Sequence, residues 1–267
     1  MTFQDCLRPL ATAELTHSPI VPSLPSCSAL VLAGGLGTRL RGIYDGPKCM
    51  APVGGRPFLE YLLRWLRHAG IKDLVMCVGH KREQIEEWLG DGSQHGFCVR
   101  YSAEKGLLGT AGAIRLAASM VNAETCLVLN GDSLMELDLA EMYRIHWLKK
   151  AEATLALVRV QDASRYGTVQ LDDQGKVVAF HANTHSGRSD PGTTAAIPFV
   201  NGGIYVIERR LLDVIPAGVP VSLEKQILPR LAGRNLCGFV ASGFFIDIGV
   251  PADYARAQTE LPRRFSL

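Results

Sequence analysis

The fold is decided by the stretch Leu32-Ala33-Gly34-Gly35-Leu36-Gly37-Thr38-Arg39-Leu40, which continues the apolar run that starts at residue 29. A short apolar run that ends in glycines predicts a buried parallel strand followed by a loop. Three glycines let backbone N–H groups come close to phosphate oxygens. Arg39 and the later Lys48 add positive charge. The stretch therefore predicts a phosphate-binding loop at the end of the first strand.

This glycine loop differs from two common phosphate-binding motifs. No Gly-Lys-Ser/Thr ends it, as in a P-loop, and the third glycine of the dinucleotide fingerprint is missing. A lone glycine loop would be an ordinary strand-to-helix turn, but Arg39 and Lys48 favour phosphate binding. An NAD-binding oxidoreductase is disfavoured, because its acidic partner residue is missing as well.

Strands and helices alternate in the first half of the chain. The predicted strands are 29–33, 74–78, 98–101 and 126–129, and the predicted helices are 83–89, 111–120 and one that opens at Pro57 and ends at Gly70. This order predicts a parallel sheet with helices on both faces and a site at the carboxyl ends of its strands.

The second half has a different pattern. The predicted strands are 153–160, 167–171, 176–180 and 199–207, followed by a closing helix over 252–260, and residues 182–197 are predicted to be a long loop. The predicted fold class is α/β, with a Rossmann-like mixed, mostly parallel sheet flanked by helices and an antiparallel second half. Residues 1–27, rich in proline and serine, are predicted to be an N-terminal arm, and 28–267 a single catalytic domain.

Composition narrows the class of protein. The chain has 267 residues, 47% of them hydrophobic, and a net charge of +2. The positive charges are dispersed, which disfavours nucleic acid as a partner. No apolar run is long enough to span a membrane and the N-terminus is a poor secretory signal, so we expect a cytoplasmic protein. The sequence is compatible with a homo-oligomer.

Cysteines and histidines give no metal or disulfide pattern. The seven cysteines are scattered without a Cys-x-x-Cys pair, and most are expected to be small buried side chains on strands. The histidines do not cluster at metal-binding spacing. His68 and His146 are predicted to lie on helix surfaces, with no catalytic role.

Several spaced motifs follow the glycine loop, and they are, in order, Pro47-Lys48, Leu108-Gly109-Thr110-Ala111-Gly112-Ala113, Asn130-Gly131-Asp132, Tyr166-Gly167, Asn201-Gly202-Gly203-Ile204-Tyr205 and Phe245-Ile246-Asp247-Ile248-Gly249. Together with the loop, they resemble the signature of the sugar-1-phosphate nucleotidylyltransferase family over about residues 28 to 258. The resemblance implies that a sugar phosphate oxygen attacks the α-phosphorus of an NTP in line and that pyrophosphate leaves.

The resemblance assigns roles to individual residues. It implies Arg39 and Lys48 as catalytic cations, because both reactants are anionic and catalysis is then largely positioning and charge neutralisation. The implied nucleotide-binding residues are Leu32, Ala33, Gly34, Gly35, Gly37, Thr38, Glu104, Gly109 and Thr110. The implied residues of an antiparallel, sugar-binding half are Tyr166, Gly167, Asn201, Gly202, Glu224 and Lys225. Tyr205 is expected to be a core aromatic residue.

Two aspartates are the predicted metal ligands. Asp132 and Asp247 each follow an apolar run, at the expected carboxyl edge of the sheet. Two carboxylates from distant segments suit Mg²⁺, which usually keeps waters and takes phosphate oxygens as its other ligands. A lone aspartate at a strand end is more often a turn cap, but the paired motifs favour Mg²⁺ binding.

Glu104 matches the family position that contacts the base. A carboxylate only accepts hydrogen bonds, and guanine offers two adjacent donors, so GTP is the expected nucleotide. A solvated loop glutamate is the other interpretation. Leu107 stands where many relatives have proline, so the shape of the loop is open.

One departure concerns the sugar phosphate. Relatives often carry Glu-Lys soon after the strand that ends at Phe180, and this chain has His181-Ala182-Asn183 instead. The candidates for the missing cation are Arg165, Arg188 and Lys225.

The finer pattern resembles one subgroup. The stretches Met50-Ala51-Pro52-Val53 and Val250-Pro251-Ala252-Asp253-Tyr254 are similar to D-glycero-D-manno-heptose 1-phosphate guanylyltransferases, with mannose 1-phosphate guanylyltransferases as the alternative. The expected substrates are thus GTP and a sugar 1-phosphate. Two other classes stay open: a glycosyltransferase, which would normally show an Asp-x-Asp pair, and a non-catalytic paralogue, which would be expected to lose Arg39, Lys48 or an aspartate.

Overall fold

The computed structural model of the chain describes residues 27–40, 42–160, 163, 166–181 and 197–265. The predicted N-terminal arm up to residue 26 and the predicted loop over 182–196 lie outside these residues. Cys27 is buried and its thiol contacts the Thr125 carbonyl, 3.1 Å away. No helix in the described ranges is long and apolar enough to cross a bilayer.

Strands and helices follow each other along the chain. The strands are β1 (Ser28–Ala33), β2 (Pro52–Val53), β3 (Arg56–Pro57), β4 (Asp73–Val78), β5 (Cys98–Ala103), β6 (Thr125–Asn130), β7 (Ser133–Met135), β8 (Ala153–Arg159), β9 (Thr168–Leu171), β10 (Val177–His181), β11 (Phe199–Glu208), β12 (Leu236–Ala241) and β13 (Phe245–Asp247). The α-helices are α1 (Phe58–His68), α2 (Glu83–Leu89), α3 (Gly109–Ala117), α4 (Leu139–Leu148), α5 (Arg209–Asp213), α6 (Leu228–Leu231) and α7 (Pro251–Arg264).

A mixed sheet forms the centre of the fold. Strands β5, β4, β1 and β6 are parallel neighbours, and β11 then pairs antiparallel with β6. Strands β8 and β9 pair antiparallel with β11, and β10 pairs antiparallel with β9. The predicted α/β class is confirmed, and β8, β9, β10 and β11 of the second half are joined by antiparallel pairs as predicted. One pair departs from that pattern, because β12 runs parallel to β8.

Alternating side chains of the parallel strands pack against two layers of helices. On β1, Ala29 and Val31 face the cluster that contains Leu62 of α1, whereas Leu30 faces the cluster that contains Ile114 of α3. All five are at most 2% exposed, so both faces of the sheet are covered. This explains why β1 is apolar throughout rather than alternating.

The predicted elements lie close to the observed ones, with a few differences. Helix α1 begins at Phe58, one residue after Pro57, and Gly70 follows it with φ +83°, as a C-terminal glycine should. The sequence predicts a helix at His146 without bounds, which the structure gives as α4, and it does not predict strand β12. A third apolar cluster joins α7 to the first half of the chain, with Tyr254 and Leu261 packed against Phe58 and Tyr61.

The prediction that His146 lies on a helix surface is wrong. His146 is 1% exposed on the inner face of α4, and its ring nitrogens lie 2.9 Å from Thr154 Oγ1 and 3.1 Å from Glu208 Oε1. Leu139, Met142 and His146 share one face of the helix, because they are three or four residues apart. His68 is exposed on α1, as predicted.

Candidate active site

A cleft opens at the carboxyl edge of the parallel strands. We call it the central cleft; it has a volume of about 260 Å³ and is lined by Leu32, Ala33, Gly34, Gly35, Lys48, Cys49, Glu104, Leu107, Gly109, Thr110, Ala113, Asn130, Gly131 and Asp132. Most of these residues come from the ends of β1 and β6, from the loops after β1, β5 and β6, and from the start of α3. This is the edge at which parallel α/β sheets bind ligands.

Most of the predicted nucleotide-binding residues line the central cleft, together with Lys48 and Asp132. Gly37 and Thr38 are predicted nucleotide residues that do not line it, and neither does Arg39. Sequence reasoning did not assign Cys49, Leu107, Ala113, Asn130 or Gly131 to the site. The signal for Asn130 and Gly131 was present, since both precede Asp132 in the motif at the end of β6.

Packing accounts for Gly34 but not for Gly35. A methyl group at Gly34 would lie 2.5 Å from Glu104 Oε1, so a side chain there would displace the carboxylate. A methyl group at Gly35 would meet no atom within 4 Å, and its φ lies outside the range that favours glycine. A bare backbone at an open position leaves room for a ligand to approach the N–H groups closely.

Glu104 is held between two loops. The residue follows β5 directly, and its Oε1 also lies 2.9 Å from where a methyl group on Gly79 would be. Leu108 N–H donates to Oε2 at 2.9 Å. Burial raises the pKa of the Glu104 carboxyl, and the Leu108 N–H partly opposes this. The side chain is therefore packed and oriented, and the interpretation as a solvated loop glutamate does not describe it.

Gly109 has two structural reasons to be glycine. Its φ is +68°, and a methyl group there would lie 2.6 Å from the Val221 carbonyl oxygen. Thr110, the next residue, donates through its hydroxyl to Glu224 Oε2 at 2.7 Å. The first turn of α3 is thereby fixed to the segment before α6.

A cation and two carboxylates meet beside the central cleft. Lys48 Nζ forms an ion pair with Asp132 Oδ2, and the two side chains are 19% and 22% exposed. Strand β13 pairs antiparallel with β7, which places Asp247 opposite Ser133, and Ile248 N–H donates to the Asp132 carbonyl at 2.9 Å. Burial is the largest cause that raises the pKa of Asp247, and the Asp132 charge is the second. The Gly249 N–H and the charges of Lys48 and Arg39 oppose this rise.

This arrangement fits a divalent cation held by two carboxylates. Burial first, and the Asp132 charge second, raise the pKa of Asp247, so positive charge beside the two carboxylates would favour their ionised forms. In the described ranges no group of three or more His, Cys, Asp or Glu side chains could hold a metal ion. Asp132 and Asp247 would thus leave several positions of a cation to waters or phosphate oxygens, as Mg²⁺ requires.

Arg39 lies on the Asp247 side of this group. A methyl group at Gly249 would lie 3.6 Å from Arg39 Nη2 and 2.8 Å from Asp247 Oδ1. The Arg39 side chain is exposed. It is therefore placed near the carboxylates with its guanidinium available to an anionic ligand.

None of the predicted sugar-binding residues lines the central cleft. Asn201 and Gly202 lie on β11, Tyr166 and Gly167 precede β9, and Glu224 and Lys225 lie in the helical segment just before α6. Asn201 Nδ2 donates to the Tyr205 hydroxyl at 2.8 Å, and Tyr205 donates to Glu224 Oε1 at 3.1 Å. The Tyr166 ring packs edge-to-face on Phe245, with centroids 6.2 Å apart. The hydrogen bonds connect Asn201 to Glu224 through Tyr205. The ring contact places Tyr166 against Phe245, which precedes Asp247 by two residues.

The remaining predicted sugar residues have less specific surroundings. A methyl group on Gly202 would overlap Met135 Cε, and one on Gly167 would lie 3.2 Å from the His181 carbonyl oxygen. Lys225 is exposed, and its backbone N–H donates to Ser222 Oγ at 3.2 Å. Of the three candidates for the missing cation, Arg165 and Arg188 lie outside the described residues.

Comparisons with known proteins agree with this geometry. The family described as nucleotidyl transferase matches residues 28–264. A D-glycero-alpha-D-manno-heptose 1-phosphate guanylyltransferase of Aneurinibacillus thermoaerophilus is 36% identical over 235 residues, which cover 87% of this chain and 97% of that protein. A mannose-1-phosphate guanylyltransferase of Mycobacterium tuberculosis is 38% identical over 239 residues. These residues cover 88% of this chain and 64% of that protein.

A solved structure shares the fold. HddC from Yersinia pseudotuberculosis in complex with GMP-PN superposes with a TM-score of 0.73 and 29% sequence identity, covering 90% of this chain and 99% of that one. The similarity thus extends over the whole sheet and its helices.

Proposed function

The chain belongs to the nucleotidyl transferase family and is a nucleotidyltransferase, and from this premise we propose that it transfers GMP from GTP to a sugar 1-phosphate, releasing pyrophosphate. The proposed acceptor is D-glycero-α-D-manno-heptose 1-phosphate, and the product GDP-heptose would serve surface polysaccharide synthesis. A sugar phosphate oxygen forms the new bond to the α-phosphorus, while the bond from that phosphorus to the bridging oxygen of pyrophosphate breaks.

The position of Glu104 is the observation that carries the choice of GTP. Leu108 N–H occupies one lone pair of Oε2, so the carboxylate keeps acceptor capacity on both oxygens, in a residue that lines the central cleft. The N1–H and 2-amino groups of guanine are two adjacent donors that such a carboxylate can accept together. Uracil and thymine offer one donor on that edge, so they would satisfy Glu104 less well.

The glycine loop and two cations fit the triphosphate. Gly34 and Gly35 would lie against its oxygens, with Gly37 and Thr38 continuing the loop, and Lys48 and Arg39 would neutralise charge on the α-phosphate and the leaving pyrophosphate. Such groups act by being in place before the reaction begins. A Mg²⁺ ion bound by Asp132 and Asp247 would supply further charge neutralisation and align phosphate oxygens.

The heptose acceptor is supported by similarity. The Aneurinibacillus thermoaerophilus relative and another from Campylobacter jejuni, 35% identical over 227 residues, are both heptose 1-phosphate guanylyltransferases. The second candidate is mannose 1-phosphate, favoured by the Mycobacterium tuberculosis relative. Tyr166, Gly167, Asn201, Gly202 and Glu224 are the proposed sugar contacts, and Lys225 is the proposed phosphate contact among the described candidates.

The test is a substrate matrix. Purified protein with Mg²⁺ is given each common NTP in turn with either heptose 1-phosphate or mannose 1-phosphate, and pyrophosphate is measured. Turnover with GTP and the heptose substrate is the expected result. Turnover with mannose 1-phosphate alone would move the proposal to the second candidate, and turnover with UTP but not GTP would remove the role given to Glu104.

A further inference from the structure

A chain of hydrogen bonds links the central cleft to β11. The Glu224 carboxylate receives three of them: from Thr110 Oγ1 at 2.7 Å, from Ser222 Oγ at 3.0 Å and from the Tyr205 hydroxyl at 3.1 Å. The Tyr205 hydroxyl in turn accepts from Asn201 Nδ2 at 2.8 Å. One connected network thus contains a cleft residue and two of the proposed sugar contacts.

Backbone N–H groups fix the direction of the bonds at one end. Leu223 N–H donates to Thr110 Oγ1 at 2.8 Å, and Lys225 N–H donates to Ser222 Oγ at 3.2 Å. Each hydroxyl has a single proton, and the Glu224 carboxylate can only accept. Both hydroxyls therefore point their protons at Glu224, which fixes its Oε2.

A backbone N–H also fixes the other end. Gly203 N–H donates to Asn201 Oδ1 at 3.0 Å, which turns Nδ2 of that amide toward Tyr205. The Tyr205 hydroxyl accepts from Nδ2 and so sends its own proton to Glu224 Oε1. In the described part of the chain this leaves one Nδ2 hydrogen of Asn201 and further acceptor capacity on Oε1, on either side of the Tyr205 hydroxyl.

One donor and one acceptor, both hydrogen-bonded to the Tyr205 hydroxyl, match the two hydrogen-bonding roles of sugar hydroxyls. We infer that Tyr205 is a positioning residue for sugar recognition, whose hydroxyl sets the direction of the Asn201 amide and holds Glu224 Oε1 for the sugar. The inference rests on the proposed function, because Asn201 and Glu224 are sugar contacts there. It adds a role to a residue that the sequence places only in the core.

Burial makes Tyr205 suited to this role. The residue is 0% exposed and packs among the apolar side chains on the α3 face of the sheet. Burial is the largest cause, and the Glu224 charge the second, that raise the pKa of Tyr205 well above its usual range. The phenol therefore keeps its proton. A rigid ring that always carries a hydroxyl proton gives the network a single orientation.

The test compares two variants that each lose one buried phenol hydroxyl. Tyr205→Phe should raise KM for the sugar 1-phosphate about tenfold while KM for GTP and kcat stay within about twofold. Tyr61→Phe is the control: its hydroxyl donates to the Val53 carbonyl at 3.1 Å, under α7. It should leave both KM values unchanged.

A second comparison tests whether Tyr205 acts through Glu224. Tyr205→Phe introduced into a Glu224→Ala background should change the sugar KM by less than about threefold, because the acceptor that the Tyr205 hydroxyl holds is already gone. Full tenfold effects in both backgrounds would contradict the inference. So would an unchanged sugar KM in Tyr205→Phe, or equal changes in the KM values for GTP and sugar.

Two further arms separate the possible failures. If Tyr205→Phe does not fold, Asn201→Asp is used instead. Its new carboxylate would accept the Tyr205 proton in place of Glu224. An unchanged sugar KM in Asn201→Asp would overturn the inference. If the wild type uses a different sugar 1-phosphate, the proposed acceptor fails and the variants are measured with the sugar used. No turnover with any pair overturns the proposed function and the inference together.

Discussion

Polar side chains gather at both edges of the parallel strands, and the two groups differ in how their charges are satisfied. At the carboxyl edge, Asp132 and Asp247 lie close to each other and Lys48 pairs with Asp132. Burial and the Asp132 charge still raise the pKa of Asp247, although Lys48 opposes this. At the amino edge, His146 lies between Thr154 and Glu208 with both ring nitrogens in hydrogen-bond contact.

The difference shows which buried polar group serves binding and which serves the fold. A neutral His146 ring satisfies both partners at once, with Nε2–H donating to Glu208 and Nδ1 accepting from the Thr154 hydroxyl. The amino-edge group needs no ligand. The carboxyl-edge group brings two carboxylates together with Lys48 and Arg39 beside an open cleft, and a bound cation or phosphate would change the balance of these charges. Perturbed groups in a cleft are candidates for function for this reason.

The comparison is tested most strongly at Lys48. Lys48→Ala should lower kcat/KM at least about a hundredfold, because one preorganised positive group near the reacting phosphates is lost. The thermal midpoint should change little. Lys72→Ala is the matched control: Lys72 is exposed and precedes β4 at the opposite edge of the sheet. Equal activity in the two variants would contradict the assignment of the carboxyl edge to catalysis.

Glu104 should show an effect of intermediate size. Glu104→Gln keeps the shape of the side chain but replaces an acceptor by a donor, so KM for GTP should rise about tenfold. The ratio of kcat/KM for GTP to kcat/KM for the other NTPs should fall. Initial rates with each NTP measure this. Glu87→Gln, on the exposed side of α2, is the control and should leave the preference intact. An unaltered preference for GTP in Glu104→Gln would remove its role in base recognition.

His146 should affect stability and not activity. His146→Leu leaves the Thr154 hydroxyl without its His146 partner and removes one of the hydrogen bonds to Glu208 Oε1, which keeps the one from Thr125. The variant should lose about 1–3 kcal/mol of unfolding free energy in urea. His68→Leu, on the exposed face of α1, should cost less than about 0.5 kcal/mol. KM values of the folded His146→Leu enzyme should match the wild type. A large change in KM with no loss of stability would contradict a purely structural role.

The same residue gives a pH dependence with a definite sign. Burial lowers the pKa of His146 from 6.5, against the opposing Glu208, so the unfolded chain binds the proton more readily than the folded one. Its contribution to the unfolding free energy is therefore present above pH 6.5 and is lost as the pH falls below it. In His146→Leu this part of the decline should be missing. Urea titrations at pH 7.5 and about pH 5.5 compare the two proteins.

Asp247 should show the smallest effect on stability, in the opposite direction. Asp247→Asn keeps an acceptor for Gly249 N–H, 2.7 Å from Oδ1, but removes the repulsion with Asp132. The metal-free variant should melt about 2–4 °C higher than the wild type at pH 7.5. The folded-state pKa of Asp247 is raised, so the gain should vanish as the pH falls below 3.8, the ordinary value, where both forms are neutral.

The effect of Mg²⁺ on the melting temperature gives a second comparison between the wild type and Asp247→Asn. Added Mg²⁺ should raise the melting temperature of the wild type, since a cation that binds the folded state stabilises it, and should raise that of Asp247→Asn less. Differential scanning fluorimetry with and without Mg²⁺ measures both changes. A lower melting temperature for metal-free Asp247→Asn would show that the two carboxylates do not repel in the folded protein.

The parts of the fold that could be predicted from the sequence are those encoded locally. The apolar runs of β1 and β6, the face of α1 and the glycine at position 70 follow from patterns a few residues long. The sequence predicts that His146 lies on a helix, but not that Leu139, Met142 and His146 form the buried face of that helix. Residue spacing alone does not indicate which face of a helix meets the sheet, or that a polar residue on that face will find partners there.

What the sequence by itself determined is the class of chemistry: a glycine loop after a buried strand, two cations and two carboxylates in motifs that name a family. What only the tertiary structure decided is how these groups meet. Glu104 lies between Gly34 and Gly79, Lys48 pairs with Asp132 across 84 residues, and Tyr205 orients a carboxylate 19 residues away. Such contacts depend on strand order and register, and these are fixed by burial over the whole sheet rather than by any local pattern.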